Sequence, residues 1–226
     1  MPRALAVILL TIVGAISLIV VTGFTSAEIE SAEATDKLVP IEKQAEQTAL
    51  YREVFDRLAT RHYRGQKIDD DLSQRYLAQF LDNLDPIKSY LLQDDIDEFM
   101  QWETRLDDLA KRGDVSPGYI MFNRLRERAI SQLNANIALL QDKDHVFDLA
   151  TDETIVLDSD KRDWFASPDE AATFWHKRIK DAMIRLLLND KEPEKARELL
   201  IKRYQNQIKQ YTQRDSQDVF QLYVNA

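Results

Sequence analysis

The chain has 226 residues, of which 44% are hydrophobic and 31% are charged, a composition typical of one folded domain or two small ones. Because there is no cysteine, disulfides, cysteine-ligated metal sites and a thiol nucleophile are excluded. The net charge of −9 argues against nucleic-acid binding, which depends on Lys and Arg neutralising phosphates. We therefore expect a protein partner rather than a nucleic acid.

The first forty residues differ in composition from the rest. Arg3 precedes a run without charges from Ala4 to Val21, and Thr25-Ser26-Ala27 offers small residues at a plausible cleavage point. This pattern predicts an export signal over residues 1–27, followed by an acidic linker over residues 28–40. The run is also about as long as the ~20 residues that span a bilayer, so an uncleaved inner-membrane anchor is the alternative. In both cases we expect a periplasmic body.

Few glycines and a regular apolar spacing predict an all-α domain over residues 41–226. Only three of the five glycines lie after residue 27, too few for many tight hairpins or for phosphate-binding loops. Apolar residues recur every four positions in two predicted helices. In the first, from about Ile41 to Tyr63, the inward residues should be Leu50, Val54 and Leu58. In the second they should be Leu72, Tyr76, Phe80 and Leu84. Asp85-Pro86 should end the second helix.

The next two predicted helices are marked by their terminal residues. Asp94, Asp95 and Asp97 suit a helix N-terminus better than a calcium loop, and Lys111-Arg112-Gly113 should close the same element. A long central helix is predicted from Ser116-Pro117 to about Gln141. Its inward positions should be Ile120, Leu125, Ala129, Leu133, Ile137 and Leu140. Arg124, Arg126 and Arg128 are interpreted as a solvated face, with a binding strip as the alternative.

The segment from His145 to Asp158 is the one strand candidate, predicted to be a short hairpin or an extended crossover. After it, Ser167-Pro168-Asp169-Glu170 predicts an N-capped helix with Phe174, Ile179, Met183 and Leu187 inward. Pro193 opens another helix, whose apolar positions are Ile201, Tyr204, Ile208 and Tyr211.

A last helix beginning at Ser216 is unusually apolar for its length. Two interpretations stand: the helix docks on its own domain, or a following element that would cover it has been lost and the domain is truncated there. On the second interpretation the candidate protein-interaction surface consists of Phe220, Leu222, Tyr223 and Val224.

The search for chemistry identifies no catalytic, cofactor-binding or metal-binding residue. His62, His145 and His176 are far apart in sequence and lack the i, i+4 spacing of a helical metal pair, so each is interpreted as structural. No phosphate-binding, dinucleotide or Gly-x-Ser-x-Gly pattern occurs. The three tryptophans are interpreted as core residues.

A colinear series of short strings resembles the N-terminal helical domain of the periplasmic tail-specific protease, in the carboxyl-terminal processing peptidase family. The resemblance covers about residue 37 to residue 226. It is carried by Arg61-His62-Tyr63, Arg75-Tyr76-Leu77, Leu84-Asp85, Tyr90-Leu91-Leu92, Asp95-Ile96, Leu157-Asp158, Lys161-Arg162, Trp164, Phe174-Trp175, Arg178-Ile179-Lys180, Arg203-Tyr204 and Ser216-Gln217-Asp218-Val219-Phe220.

The resemblance implies a role without catalysis in this chain. In the family, catalysis belongs to a protease domain with a serine nucleophile and a lysine base, and a PDZ domain captures substrate C-termini; no residue here matches the dyad. We therefore expect a non-catalytic, cofactor-free scaffold that shapes substrate access and docks an adaptor lipoprotein or unfolded, tail-bearing substrates. The alternatives are the front part of a complete periplasmic serine endopeptidase, and an unrelated helical adaptor or chaperone.

Overall fold

The computed structural model describes residues 38–61 and 67–226, apart from the side chains of Ala59 and Arg61. Its α-helices are α1 Ala45–Arg61, α2 Asp70–Leu84, α3 Gln93–Phe99, α4 Leu106–Lys111, α5 Ser116–Gln141, α6 Pro168–Leu187, α7 Pro193–Gln213 and α8 Ser216–Val224. Two 3-10 turns, Met100–Trp102 and Ser159–Lys161, complete the regular structure. No strand occurs in the described part of the chain, which confirms the all-α prediction.

The predicted N-terminal signal or anchor lies outside the described residues, as does most of the linker, and both stay predictions. No helix within 38–61 or 67–226 is long and apolar enough to cross a membrane. The helices belong to one compact unit, Pro40–Ala226.

Several helix ends lie where the sequence predicts them. Helix α2 ends at Leu84, before Asp85-Pro86, as predicted; at its start the Asp69 side chain accepts a hydrogen bond from Leu72 N (3.2 Å). The Ser167 hydroxyl caps α6 by accepting from Glu170 N (3.2 Å), and the Glu170 carboxylate accepts from the backbone of Ala166 (2.7 Å). These caps satisfy N–H groups that a helix start leaves without partners.

The sequence predicts one element from Asp94 to Gly113, but this stretch forms α3, a 3-10 turn and α4. The turn redirects the chain so that both Phe99 and Leu106 enter the core. The predicted C-terminal glycine is confirmed: Gly113 has φ +76° and its N–H bonds Ala110 O, while Asp114 N bonds Leu109 O. This is the Schellman arrangement, which favours glycine at the left-handed position.

The segment 145–158 is an extended crossover between α5 and α6, and the hairpin alternative is wrong. Its first residues are held by a side chain instead of a partner strand. The Arg197 guanidinium on α7 donates to the carbonyl oxygens of Leu140 and Asp142 (3.0 Å each) and to that of His145. Since these bonds satisfy the backbone at the start of the crossover, strand pairing is not required there.

The core consists of two clusters that meet along α5. The first joins α1–α4, the N-terminal half of α5 and α8; the second joins the C-terminal half of α5, α6, α7 and the aromatic rings of Phe147 and Phe165. Leu125, Ala129, Leu133 and Leu140 are buried as predicted, whereas Ile120 is exposed.

The inward face of α1 differs from the prediction. Leu50 and Leu58 are 47% and 51% exposed, and the buried positions are Gln47 and Tyr51. The stripe is displaced because the Gln47 side chain is a core residue, accepting a hydrogen bond from the Tyr119 hydroxyl (2.7 Å) and donating to Ser216 O (3.2 Å). A simple hydrophobic pattern counts glutamine as polar and places it outside, so the pattern misses a buried amide whose hydrogen bonds are satisfied.

The interpretation of the three α5 arginines as a solvated face is also wrong. Arg124 and Arg128 lie one turn apart and both donate to Asp95 of α3, whose side chain is fully buried; the Arg128 bonds measure 2.9 and 3.0 Å. Burial opposes ionisation of Asp95, but the bonds from Arg128, Leu92 N and Arg124 outweigh it and lower the pKa of the carboxyl. Arg126 is buried on a different face.

Candidate functional site

Helix α8 docks on its own domain. Phe220 and Tyr223 are 4% and 0% exposed, and the Tyr223 ring lies edge-on to Phe80 and Tyr76, with ring centroids 5.1 and 5.5 Å apart. At the start of α8 the Gln47 side chain of α1 donates to Ser216 O (3.2 Å). Of the two interpretations of this helix, the structure thus supports docking on the same domain.

Gly118 allows this docking. A Cβ on Gly118 would lie 2.4 Å from Tyr223 Cγ and 2.5 Å from Tyr223 Cδ2. Real Cβ atoms do not approach other carbons so closely, so α5 and α8 can be in contact here only because one side chain is missing.

The candidate interaction surface is therefore corrected in its composition. Phe220 and Tyr223 lie in the interior and offer no surface, whereas Leu222 and Val224 are half-buried. Val224 lines an apolar groove beside α8. Binding of a partner there stays a prediction.

The groove runs between α1, α2 and α4 and has a volume of about 340 Å³. Its described apolar lining comes from three helices, from Ile68 just before α2 and from the last residues of the chain: Tyr51, Val54, Phe55, Leu58, Ile68, Leu72, Tyr76, Leu106, Ala110, Val224 and Ala226. Leu58, which the sequence places in the core, is half-exposed on its wall because α1 turns Tyr51 inward instead. The volume is at the lower end of the range for ligand pockets.

The polar side chains in the groove are engaged with one another. Ser73 donates to Asp107 Oδ1 (3.0 Å) and accepts from Asp107 N (2.9 Å), which ties α2 to α4. Lys111 Nζ adds an ion pair to Asp107 Oδ2 (2.7 Å). Burial raises the pKa of Asp107, but the bonds from Lys111 and Ser73 outweigh it and the pKa is lowered. Asp107 is thus a satisfied, ionised carboxylate.

The tyrosines also keep their protons. The Tyr76 hydroxyl donates to Tyr223 O, and burial raises the pKa of Tyr51 to about 12. Among the described residues of the lining there is no His, Lys or Cys, and Ser73 faces only a carboxylate, so these residues form no pair of nucleophile and base. The described lining can bury apolar side chains.

The remaining sequence candidates lie elsewhere. Trp175 is buried, with its indole N–H donating to Ser89 O (2.8 Å), and Trp102 and Trp164 pack against the first cluster, as expected of core residues. His62 lies outside the described residues. His145 and His176, interpreted separately from the sequence, face each other. Within 38–61 and 67–226, no three His, Asp or Glu side chains converge as a metal site.

Comparison with known proteins places this fold in a known context. Residues 54–226 match a family model described as the tail specific protease N-terminal domain. The Tail-specific protease of Haemophilus influenzae is 32% identical over 193 residues, which are 85% of this chain and 27% of that protein. The chain thus spans about a quarter of the length of this relative. The matched family region contains every groove residue except Tyr51.

Proposed function

Since the chain belongs to the tail-specific protease N-terminal domain family, we propose that it is a non-catalytic helical module that docks apolar segments of unfolded proteins in the groove between α1, α2 and α4. Family membership also means that the interpretation as an unrelated adaptor or chaperone is wrong. The observation that carries the proposal is the groove itself: an accessible apolar channel on an otherwise acidic chain, in which the polar groups already have partners.

The chemistry of the groove selects its ligand. A volume of about 340 Å³ fits a few apolar side chains but not a folded domain. Because Ser73 and Asp107 are already paired, specificity for a particular polar group is not expected, and the interaction should depend on buried apolar area. An unfolded substrate exposes short apolar stretches of this kind, so we favour it over an adaptor lipoprotein as the occupant.

The test compares two Leu→Asp variants. Leu58→Asp places a charge on the groove wall, and Leu188→Asp, at a residue 79% exposed and not in the groove lining, is the matched control. Binding of a labelled, permanently unfolded polypeptide with an apolar C-terminal tail is measured by fluorescence anisotropy. Leu58→Asp should weaken binding at least tenfold, which corresponds to about 1.4 kcal/mol, and the control should not. Equal affinities of the two variants would refute the groove as the docking site.

A second candidate function rests on the 27% coverage of the Haemophilus protein. On this reading the chain is the front part of a periplasmic serine endopeptidase. Reading the DNA after the codon for Ala226, for a PDZ domain and a protease domain, separates the two candidates. A reporter fused to residues 1–40 should be exported. For residues 1–226 by themselves, we expect no hydrolysis of the unfolded polypeptide. Hydrolysis that survives purification and is lost on changing one residue of this chain would overturn the non-catalytic assignment.

A further inference from the structure

The crossover and α6 bring two histidines together. His145 Nε2 and His176 Nε2 are 3.4 Å apart, with the two rings almost perpendicular at 88°. In sequence they are separated by 31 positions. With no ion between them, one ring donates its Nε2–H to the other.

Both rings are positioned by their surroundings. The His145 carbonyl is held by Arg197 of α7, and the adjacent Phe147 is buried, with its ring edge-on to His145 at 4.6 Å. His176 lies on α6 next to the buried Trp175. The buried Phe147 ring also contacts His176, with ring centroids 5.6 Å apart, so one core residue packs against both imidazoles.

The separation matches that of two ligands on one tetrahedral ion. Zinc binds imidazole nitrogens at about 2.0–2.1 Å, and two such bonds at the tetrahedral angle place the nitrogens about 3.4 Å apart. We propose that His145 and His176 form a binding site for a divalent transition metal such as Zn²⁺, which fastens the crossover to α6. Both Nε2 atoms would then donate a lone pair to the metal, and each ring would carry its proton on Nδ1.

Space for the remaining ligands is present beside His176. A cavity of about 490 Å³ is lined by His176 together with polar groups, including Gln132, Asn136 and Glu153. The Asn136 side chain is buried, and its amide nitrogen has no hydrogen-bond partner among the described atoms, so the cavity is suited to ordered water. Since His176 lines this cavity, water in it can supply further ligands from the His176 side of the pair.

The charges around the pair set the strength of the site. Glu153 is ion-paired with Lys180 (3.4 Å), and Lys177, which also lines the cavity, donates to Thr154 O. With two protein ligands and these cations nearby, we expect exchangeable rather than permanent binding. By the general order of divalent metals, Cu²⁺ should bind more tightly than Zn²⁺.

The test uses the untagged full chain and Zn²⁺ itself, with a chelating dye as competitor. One ion per chain should bind at pH 7.5, and His145→Ala, His176→Ala and the size-conserving His176→Gln should each weaken binding at least tenfold. His62→Ala is the matched control and should bind like the parent. Zn²⁺ should also raise the melting temperature of the parent and of His62→Ala, but not of His176→Gln. Circular dichroism checks that each variant is folded.

One further measurement distinguishes this site from loose binding to an acidic protein. A large excess of Ca²⁺ should leave Zn²⁺ bound, because Ca²⁺ prefers oxygen ligands. The proposal is overturned if the parent binds no Zn²⁺, if a folded His176→Gln binds as the parent does, or if Ca²⁺ displaces the ion.

Discussion

Gly118→Ala tests whether α8 is an integral part of this domain. In an ordinary helix this change stabilises by about 0.5–1 kcal/mol, since glycine has the larger conformational entropy to lose. Here the new Cβ would lie 2.4–2.8 Å from three carbon atoms of Tyr223, a residue that is fully buried. Overpacking of this kind costs about 1–3 kcal/mol. The steric term is the larger, so we expect a net destabilisation of about 1–2 kcal/mol.

The assay is thermal unfolding followed by circular dichroism. For a domain of this size, 1 kcal/mol changes the melting temperature by about 2–4 °C, so Gly118→Ala should lower it by about 2–8 °C. Urea unfolding gives the same difference as a free energy and shows through its slope whether the transition remains two-state.

A double-mutant cycle removes the alternative explanations. Tyr223→Ala should cost about 3–5 kcal/mol by itself, because it empties a buried aromatic site. In that background Gly118→Ala no longer meets the ring, although the Cβ of residue 223 remains 2.8 Å away, so the change should be less destabilising than in the parent. If Gly118→Ala stabilises the parent, or destabilises both backgrounds equally, the close contact between α5 and α8 does not determine the effect and the reasoning fails.

Three further predictions concern other contacts. Asp95→Asn should lower the free energy of unfolding at pH 7 by about 1–3 kcal/mol, because Arg124 and Arg128 lose a buried carboxylate. Since the pKa of Asp95 is lowered from 3.8, this stabilisation is present above pH 3.8 and is lost as the pH falls through the native pKa. The free energies of unfolding of the parent and Asp95→Asn, measured with urea, should therefore converge below about pH 4. Arg197→Lys, which cannot span three carbonyls, should speed proteolysis within residues 142–158 without changing cleavage elsewhere; uniform acceleration would mean global destabilisation instead. Phe220→Ser with Tyr223→Ser should melt much earlier than the parent, and a double variant that is merely more soluble would contradict burial of α8.

The buried polar groups show where the sequence pattern is insufficient. Asp85 lies at a predicted helix end, yet its function is to accept hydrogen bonds from the backbone of Ser89, Tyr90 and Leu91, at 2.7–3.0 Å. Gln47 and Asp95 are similar. Each is a polar residue that a sequence pattern would place at the surface. Burial becomes favourable only because other helices or a folded loop provide its hydrogen-bond partners.

The sequence by itself determined the family, the all-α class and most helix ends. Caps are local: Ser167, Asp69 and Gly113 act on backbone groups within a few residues, so the signal and its partner lie in the same short string. The start of the long α5 is marked instead by Pro117, which lies in its first turn.

Only the tertiary structure decided which faces are buried and what the candidate sites are. The groove depends on α1 presenting Tyr51 to the core and leaving Leu58 on the wall, which follows from contacts with Tyr223 more than 160 residues later in the chain. The pairing of His145 with His176 depends on how the crossover lies across α6. Periodicity reports the spacing along one helix, whereas these contacts depend on distances between elements that no local pattern contains.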